Sequence, residues 1–250
     1  MRSATALVVV TAVVWAAVRL AGWPDAWLPG FLIAAGCTVT TADGERSIDA
    51  ADARRVTSAL LADATDPRPA GAPHLDAGSG DGSADPVDPA VVEALRTRDG
   101  ALTCRLPRDR RAARDGLTGQ DEGAGGLTPR ADGVRRAMLA AGGDLPLGGF
   151  EPGGVTTGHM PGSAHYEGRA IDAFFRPVGI ATARHGWLLA HWLVAHAGDL
   201  DVQTVIFDDR IWSASLASSG WRPYVPPGSP TTDAVRRHLD HVHVDVVAGR

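Results

Sequence analysis

Apolar residues are concentrated at the start of the chain. After Met1-Arg2, positions 4–18 are nearly all apolar, and 20–36 are again mostly apolar. A positively charged start followed by an apolar run is typical of a signal peptide, and the first run is at the short end for a membrane-spanning helix. We therefore expect residues 1–36 to be either a signal peptide or a membrane anchor.

The stretch from 37 to 126 is more polar and less periodic. A helical pattern begins near Ser47 or Asp49, either of which can serve as its N-cap. Residues 66–90 are rich in Pro, Gly, Asp and Ser, a composition that buries little apolar surface and predicts a linker or an exposed loop. This part of the chain is predicted to be a small helical region with flexible linkers.

From residue 127 onward, helical and strand-like patterns follow one another. Thr128 and Pro129 are a typical helix start, and Gly142-Gly143 is a typical helix end. The helical segments are 129–141 and 184–197, and the strand-like segments are 170–175, 201–208 and 241–247. We predict an α+β domain over 127–250, with a small antiparallel sheet and flanking helices.

Charge and cysteine content narrow the range of partners. The net charge is −5 and no basic stripe is present, so a nucleic-acid partner is not expected. The two cysteines, Cys37 and Cys104, are an even number in a chain predicted to be exported, which favours one disulfide. The alternative is a lipid on Cys37, in a stretch that faintly resembles a lipoprotein cleavage box; such a lipid would exclude the disulfide.

The candidate chemistry lies in two separated segments. His165 and Asp172 are seven positions apart, and Gly168 between them allows a sharp backbone turn. In the last strand-like segment, His241 and His243 share one face, so one can bind a metal while the other lies beside the reacting group. Two histidines and one carboxylate leave a fourth position for water at a catalytic zinc, and we therefore predict a metal centre.

Two motifs resemble those of the zinc peptidases that cut the stem peptides of peptidoglycan. They are Ser163-x-His165-x-x-Gly168-Arg-Ala-x-Asp172 and Asp240-His-x-His243. These peptidases include D-alanyl-D-alanine carboxypeptidases, L-alanyl-D-glutamate endolysins and murein endopeptidases, and they share the hedgehog/DD-peptidase fold. The chain most resembles a group of exported bacterial proteins of largely uncharacterised function. The resemblance covers about 127–250 and implies this fold and a bound Zn²⁺.

The resemblance also implies roles for single residues. The zinc ligands carry over to His165, Asp172 and His243. Asp240 stands where the carboxypeptidases and endolysins have their general base, whereas His241 and His238 stand where the murein endopeptidases have histidines that line the site. On an ideal strand Asp240 points away from the metal face, which favours His241 beside the reacting group and leaves Asp240 to orient a histidine.

One departure from the family pattern affects substrate binding. The carboxypeptidases carry Gly-Tyr-Arg before the first motif, and the Arg grips a substrate carboxylate. The corresponding stretch here, 148–151, ends in Glu151. The carboxylate anchor is then missing or supplied by another residue, for which Arg169 and Arg136 are the candidates. This departure weakens a carboxypeptidase function more than an endopeptidase or amidase function.

We therefore predict a zinc-dependent amide hydrolase that acts on peptidoglycan stem or cross-link peptides outside the cytoplasmic membrane. In the expected mechanism, Asp240 accepts the proton of the attacking water, and His241, with His238, stabilises the oxyanion. The alternative is a catalytically inactive zinc-containing module that binds the cell wall or a partner, which Glu151 favours. A heavy-metal-binding protein has little support, because the sequence has no second Cys/His/Met cluster.

Overall fold

The computed structural model describes residues 36–65 and 86–250. The predicted signal peptide or anchor, residues 1–36, lies outside the described residues except for Gly36, and so does most of the predicted 66–90 linker. Within the two described ranges, no helix combines the length and the apolar character that crossing a membrane requires.

The first sheet has three antiparallel strands. They are β1 (Gly36–Thr41), β2 (Gly44–Asp49) and β3 (Thr103–Cys104), in the order β2-β1-β3. Gly44, with φ at +114°, allows the tight reversal between β1 and β2. Cys37 of β1 lies opposite Cys104 of β3, and the two form the predicted disulfide. A disulfide indicates an oxidising environment outside the cytoplasm.

Five α-helices occur in the described residues. They are α1 (Ala50–Thr65), α2 (Pro89–Ala94), α3 (Arg108–Asp115), α4 (Pro129–Gly142) and α5 (Ile180–Ala195). Asp49, rather than Ser47, caps α1, because its carboxylate accepts a hydrogen bond of 2.7 Å from the Ala51 N–H. Thr128 caps α4 as predicted, since its hydroxyl accepts from the Ala131 N–H.

The second sheet carries the two predicted motifs. Its antiparallel strands are β4 (Leu147–Gly148), β5 (Ala170–Phe174), β6 (Val202–Phe207), β7 (Arg210–Ser213), β8 (Arg222–Pro223) and β9 (His241–Val246). Their order is β4-β5-β9-β6-β7-β8, so β9 lies in the middle of the sheet. Its pairing with β5 places Asp172 opposite His243 and Phe174 opposite His241. The predicted α+β class with small antiparallel sheets is confirmed.

One hydrophobic core joins the described residues before 127 to those from 127 onward. The C-terminal part of α5 is buried from Gly186 to Ala195 and contacts both α1 and the second sheet. Two indole N–H groups cross between the parts: Trp192 donates to the Ser58 hydroxyl, and Trp221 donates to the Leu102 carbonyl. Residues before 127 therefore complete the core of the later part of the chain, and the full-length chain is the unit that folds.

Candidate metal centre

The three predicted metal ligands converge from three elements. His165 lies in a short 3₁₀ turn, Ala164–Glu167, that precedes β5. Gly168 ends this turn in the left-handed conformation, with φ at +57°, and so directs the chain into the strand. Asp172 on β5 and His243 on β9 are opposite one another in the sheet. All three side chains are buried.

The ligand atoms form a nearly equilateral triangle. His165 Nε2 lies 3.1 Å from His243 Nδ1 and 3.3 Å from Asp172 Oδ1, and the latter two atoms are 3.1 Å apart. Tetrahedral ligands that lie about 2.0–2.2 Å from a metal ion are roughly 3.3–3.6 Å from one another. The triad is therefore spaced closely enough to bind a metal ion with little movement of its side chains.

The backbone of Gly149 orients the first ligand. Its carbonyl oxygen lies 2.6 Å from His165 Nδ1, so the Nδ1–H donates to this oxygen and Nε2 keeps its lone pair toward the triad. Gly149 has φ at +80°, and a Cβ there would lie 2.4 Å from His165 Cε1 and 3.0 Å from Asp172 Oδ2. Only glycine allows the main chain to come this close, a requirement that the sequence analysis missed.

The charges in the triad favour a bound cation. Burial raises the pKa of the Asp172 carboxyl, but the neighbouring imidazoles of His165 and His243 outweigh burial and hold that pKa well below its usual range. Burial also lowers the pKa of His243, yet the carboxylates of Asp172 and Asp245 raise it to about 9. Without metal, His243 thus carries a proton between two carboxylates at neutral pH, and a metal ion would displace that proton.

A second hydrogen-bonded group lies beside the triad. His241 Nδ1 lies 2.8 Å from Asp240 Oδ1, while His241 Nε2 lies 3.8 Å from Asp172 Oδ1. Arg176 Nε and Nη2 each lie 2.7 Å from Asp240 Oδ2. Burial raises the pKa of Asp240, but its hydrogen bonds with His241 and Arg176 lower it overall. The structure thus places His241 next to the metal ligands and Asp240 behind it.

His238 packs against both histidines of β9. Its ring centroid lies 4.6 Å from that of His241 and 5.7 Å from that of His243, and Tyr224 packs edge-on against it. Burial and the two neighbouring histidines lower the pKa of His238 to about 3, so its ring is neutral. Its Nδ1 is buried with no hydrogen-bond partner among the described residues, and its backbone is left-handed, with φ at +54°. Such strained residues are concentrated at functional sites.

A cleft of about 720 Å³ is lined by the three triad side chains and by His238 and His241. One wall is the loop 158–164, in which His159 stacks on His165 with ring centroids 3.9 Å apart. The Tyr166 hydroxyl holds this loop, because it accepts a hydrogen bond from the His159 N–H and donates one to the His159 carbonyl. The segment before β9 supplies another part of the lining, including Arg236. The metal triad is therefore accessible from a cleft large enough for a peptide segment.

The two arginines predicted to bind substrate do not line this cleft. Arg169 Nη1 donates to the Val246 carbonyl at 2.7 Å, and Arg136 lies on α4 beside a different pocket. Arg176 and Arg236 line the cleft instead. Neither could be singled out from the sequence, because both lie outside the two motifs.

Part of the chain is similar to a known protein family. Residues 123–235 match the family model described as VldE, C-terminal domain. The matched region is less than half of the chain; it contains His165 and Asp172 and ends before Asp240 and His243. No curated protein and no solved structure matches the chain.

Proposed function

We propose that this protein is a zinc-dependent amide hydrolase of the hedgehog/DD-peptidase type that acts on peptidoglycan peptides outside the cytoplasmic membrane. The observation that carries the proposal is the buried triad of His165, Asp172 and His243, with His241 Nε2 close beside it. Two imidazoles and one carboxylate suit zinc better than soft metals or metals that prefer only oxygen. Three protein ligands leave one position for water, as in catalytic zinc sites.

The residues beside the triad can perform the proton transfers of amide hydrolysis. When bound, zinc lowers the pKa of a coordinated water and polarises the scissile carbonyl. His241 carries its proton on Nδ1, toward Asp240, so Nε2 can accept a proton from the attacking water and deliver it to the leaving amine. His238, which is neutral and lines the cleft, is suited to donate a hydrogen bond to the developing oxyanion.

This assignment differs from the mechanism expected from the sequence, in which Asp240 was the base. One oxygen of Asp240 is hydrogen-bonded to His241 and the other to Arg176, and His241 lines the cleft whereas Asp240 does not, so His241 is better placed to take a proton from water. Asp240 instead resembles the carboxylate that orients the histidine in other hydrolytic enzymes. In our proposal, His241 is the proton carrier and Asp240 holds it in place.

Several observations support peptidoglycan peptides as the substrate class. The motif resemblance points to this class, and the Cys37–Cys104 disulfide agrees with a location outside the cytoplasm. The lining of the cleft also includes Arg236, whose cationic side chain can face the carboxylates of stem peptides. The predicted N-terminal signal or anchor would deliver or tether the enzyme near the cell wall.

A catalytically inactive zinc-containing module is the second candidate function. Glu151 favours it, because this exposed side chain occupies the place where the carboxypeptidases carry an arginine that grips a substrate carboxylate. Such a module would bind cell-wall peptide or a partner protein without cutting it. Measurements of zinc content and of peptide cleavage distinguish the two functions.

The first experiment measures zinc in the full-length chain by elemental analysis. We expect about one zinc per chain, lost in Asp172→Ala and in His243→Ala. His196→Ala is the control, because this histidine lies at the end of α5 and bonds to the Trp192 carbonyl there. Absence of zinc from the wild type after refolding with the metal would refute the proposal.

The second experiment measures cleavage of purified muropeptides by mass spectrometry, with and without a chelator. His241→Ala should keep zinc, since His241 is not a ligand, and should reduce cleavage about 10²–10⁴-fold if His241 carries the proton. Zinc-loaded wild type that binds muropeptides but cleaves none would support the inactive module instead.

A further inference from the structure

We propose that Arg176 is a positioning residue: it holds Asp240 in place and, through Asp240, fixes the tautomer and orientation of His241. Its catalytic meaning rests on the proposed hydrolase function. The effect of Arg176 on which nitrogen of His241 carries the proton can be tested whether or not the protein cleaves peptides.

The contacts form an unbroken chain toward the metal triad. Arg176 contacts one oxygen of Asp240 with two nitrogens, Nε and Nη2, at 2.7 Å each. The other Asp240 oxygen lies 2.8 Å from His241 Nδ1, and His241 Nε2 lies 3.8 Å from Asp172 Oδ1. Asp240 is only 5% exposed, so water cannot readily replace either partner.

The backbone and an aromatic ring set the position of Arg176. The Phe175 N–H donates to the Asp240 carbonyl at 2.8 Å, which aligns the end of β5 with the start of β9. Arg176 is the next residue, and its guanidinium carbon lies 4.3 Å from the centre of the Phe174 ring. That ring also contacts His241, with centroids 5.8 Å apart. Arg176 is therefore held against the same ring that borders the histidine it orients.

The consequence for His241 follows from the hydrogen-bond requirements of Asp240. An ionised carboxylate only accepts, so its bond to His241 keeps the proton on Nδ1 and leaves Nε2 free to accept. Without Arg176, the second oxygen of this buried carboxylate would have no side-chain partner among the described residues. The carboxylate could then rotate or take up a proton, and the preference of His241 for the Nδ1–H tautomer would weaken.

Arginine suits this position better than lysine. Its planar guanidinium directs two N–H groups to one carboxylate and stacks on the Phe174 ring at the same time. Lysine would keep the positive charge but not the two directed hydrogen bonds. We therefore expect Arg176→Lys to preserve part of the effect and Arg176→Met to abolish it.

The direct test is the tautomer of His241, read from the ¹⁵N chemical shifts of its imidazole in the full-length zinc-loaded protein. The His241→Gln variant identifies the signal. Wild type should show protonated Nδ1 and unprotonated Nε2, and Arg176→Met should show a mixture of tautomers. Arg110→Met is the matched control, because Arg110 is equally exposed (53% against 54% of the side chain) and pairs with Asp199 instead. A wild-type tautomer in Arg176→Met would overturn the proposal.

Zinc content and kinetics provide the second readout. Arg176→Met should keep its zinc and lower kcat about 10–100-fold with a much smaller change in KM, and Arg176→Lys should recover part of kcat. Loss of zinc, or a rise in KM alone, would overturn the proposal, because Arg176 would then support the metal centre or bind substrate. A wild type that cleaves nothing would refute the hydrolase function, while the tautomer measurement would still decide the role of Arg176.

Discussion

Replacing Gly149 by alanine should weaken metal binding, although it removes no ligand. The added Cβ would lie 2.4 Å from His165 Cε1 and 2.7 Å from Nδ1, whereas carbon contacts normally lie at about 3.5–4.0 Å. Either the ring or the backbone must therefore move by about 1 Å. Any such movement also disturbs the 2.6 Å contact between the Gly149 carbonyl and His165 Nδ1.

The size of the effect follows from similar disruptions around metal ligands. Loss of the hydrogen-bond partner of a metal-binding histidine typically reduces metal affinity about 10–100-fold, equivalent to about 1.4–2.7 kcal/mol. Alanine at the φ of Gly149, +80°, should in addition destabilise the fold by about 1–2 kcal/mol. A titration against a chromophoric chelator measures the metal affinity, and urea unfolding measures the stability.

Gly153→Ala separates these two effects. Gly153 lies in the same loop region with φ at +89°, but no atom of the described residues lies within 4 Å of the Cβ it would gain. This variant should lose a similar amount of stability and keep the metal affinity of the wild type. Equal metal affinity in wild type and Gly149→Ala would refute the positioning role of the Gly149 backbone.

Three further predictions concern stability and pH. Replacing Cys37 and Cys104 by serine opens a link between residues 67 positions apart and should lower the free energy of unfolding by about 4 kcal/mol in urea titrations. Burial lowers the pKa of His191 to about 4, so the unfolded chain takes up a proton before the folded chain does as the pH falls. The free energy of unfolding should therefore drop by up to about 3 kcal/mol between about pH 6.5 and 4. His191→Phe should flatten that decline. His243, with a pKa of about 9, must lose a proton to bind metal, so apparent metal affinity should rise about tenfold per pH unit below that value, with proton release visible in calorimetry.

The ligand triad could be predicted because each half of it lies in a short contiguous segment. His165 and Asp172 are separated by one turn and one glycine, and His243 belongs to an alternating strand whose faces can be read from the sequence. The strand pattern also favoured His241 over Asp240 as the neighbour of the reacting group, as the structure shows. The choice of His243 rather than His241 as the ligand came from the family resemblance, because both histidines share one face of the strand.

Other parts of the fold and site could not be predicted in this way. Strand β2 is polar and almost entirely exposed, so it shows no apolar alternation, and the first sheet was missed. Gly149 acts through a carbonyl oxygen, which every residue has, and its importance appears only where His165 approaches it. Arg176 contacts Asp240 across 64 positions of sequence, and only the pairing of β5 with β9 brings them together.

The arrangement around Asp240 favours a hydrolase over an inactive module. Burying a charged carboxylate lowers stability by several kcal/mol unless hydrogen bonds and charges compensate. A centre that bound zinc only for structure would need a fourth protein ligand and would gain nothing from a buried carboxylate that orients a nearby histidine. Here Asp240 directs the proton of His241 away from the cleft and leaves Nε2 facing the metal triad. That orientation suits the acceptance of a proton from a group in the cleft, so zinc retention with loss of cleavage in His241→Ala is the most decisive comparison between the two functions.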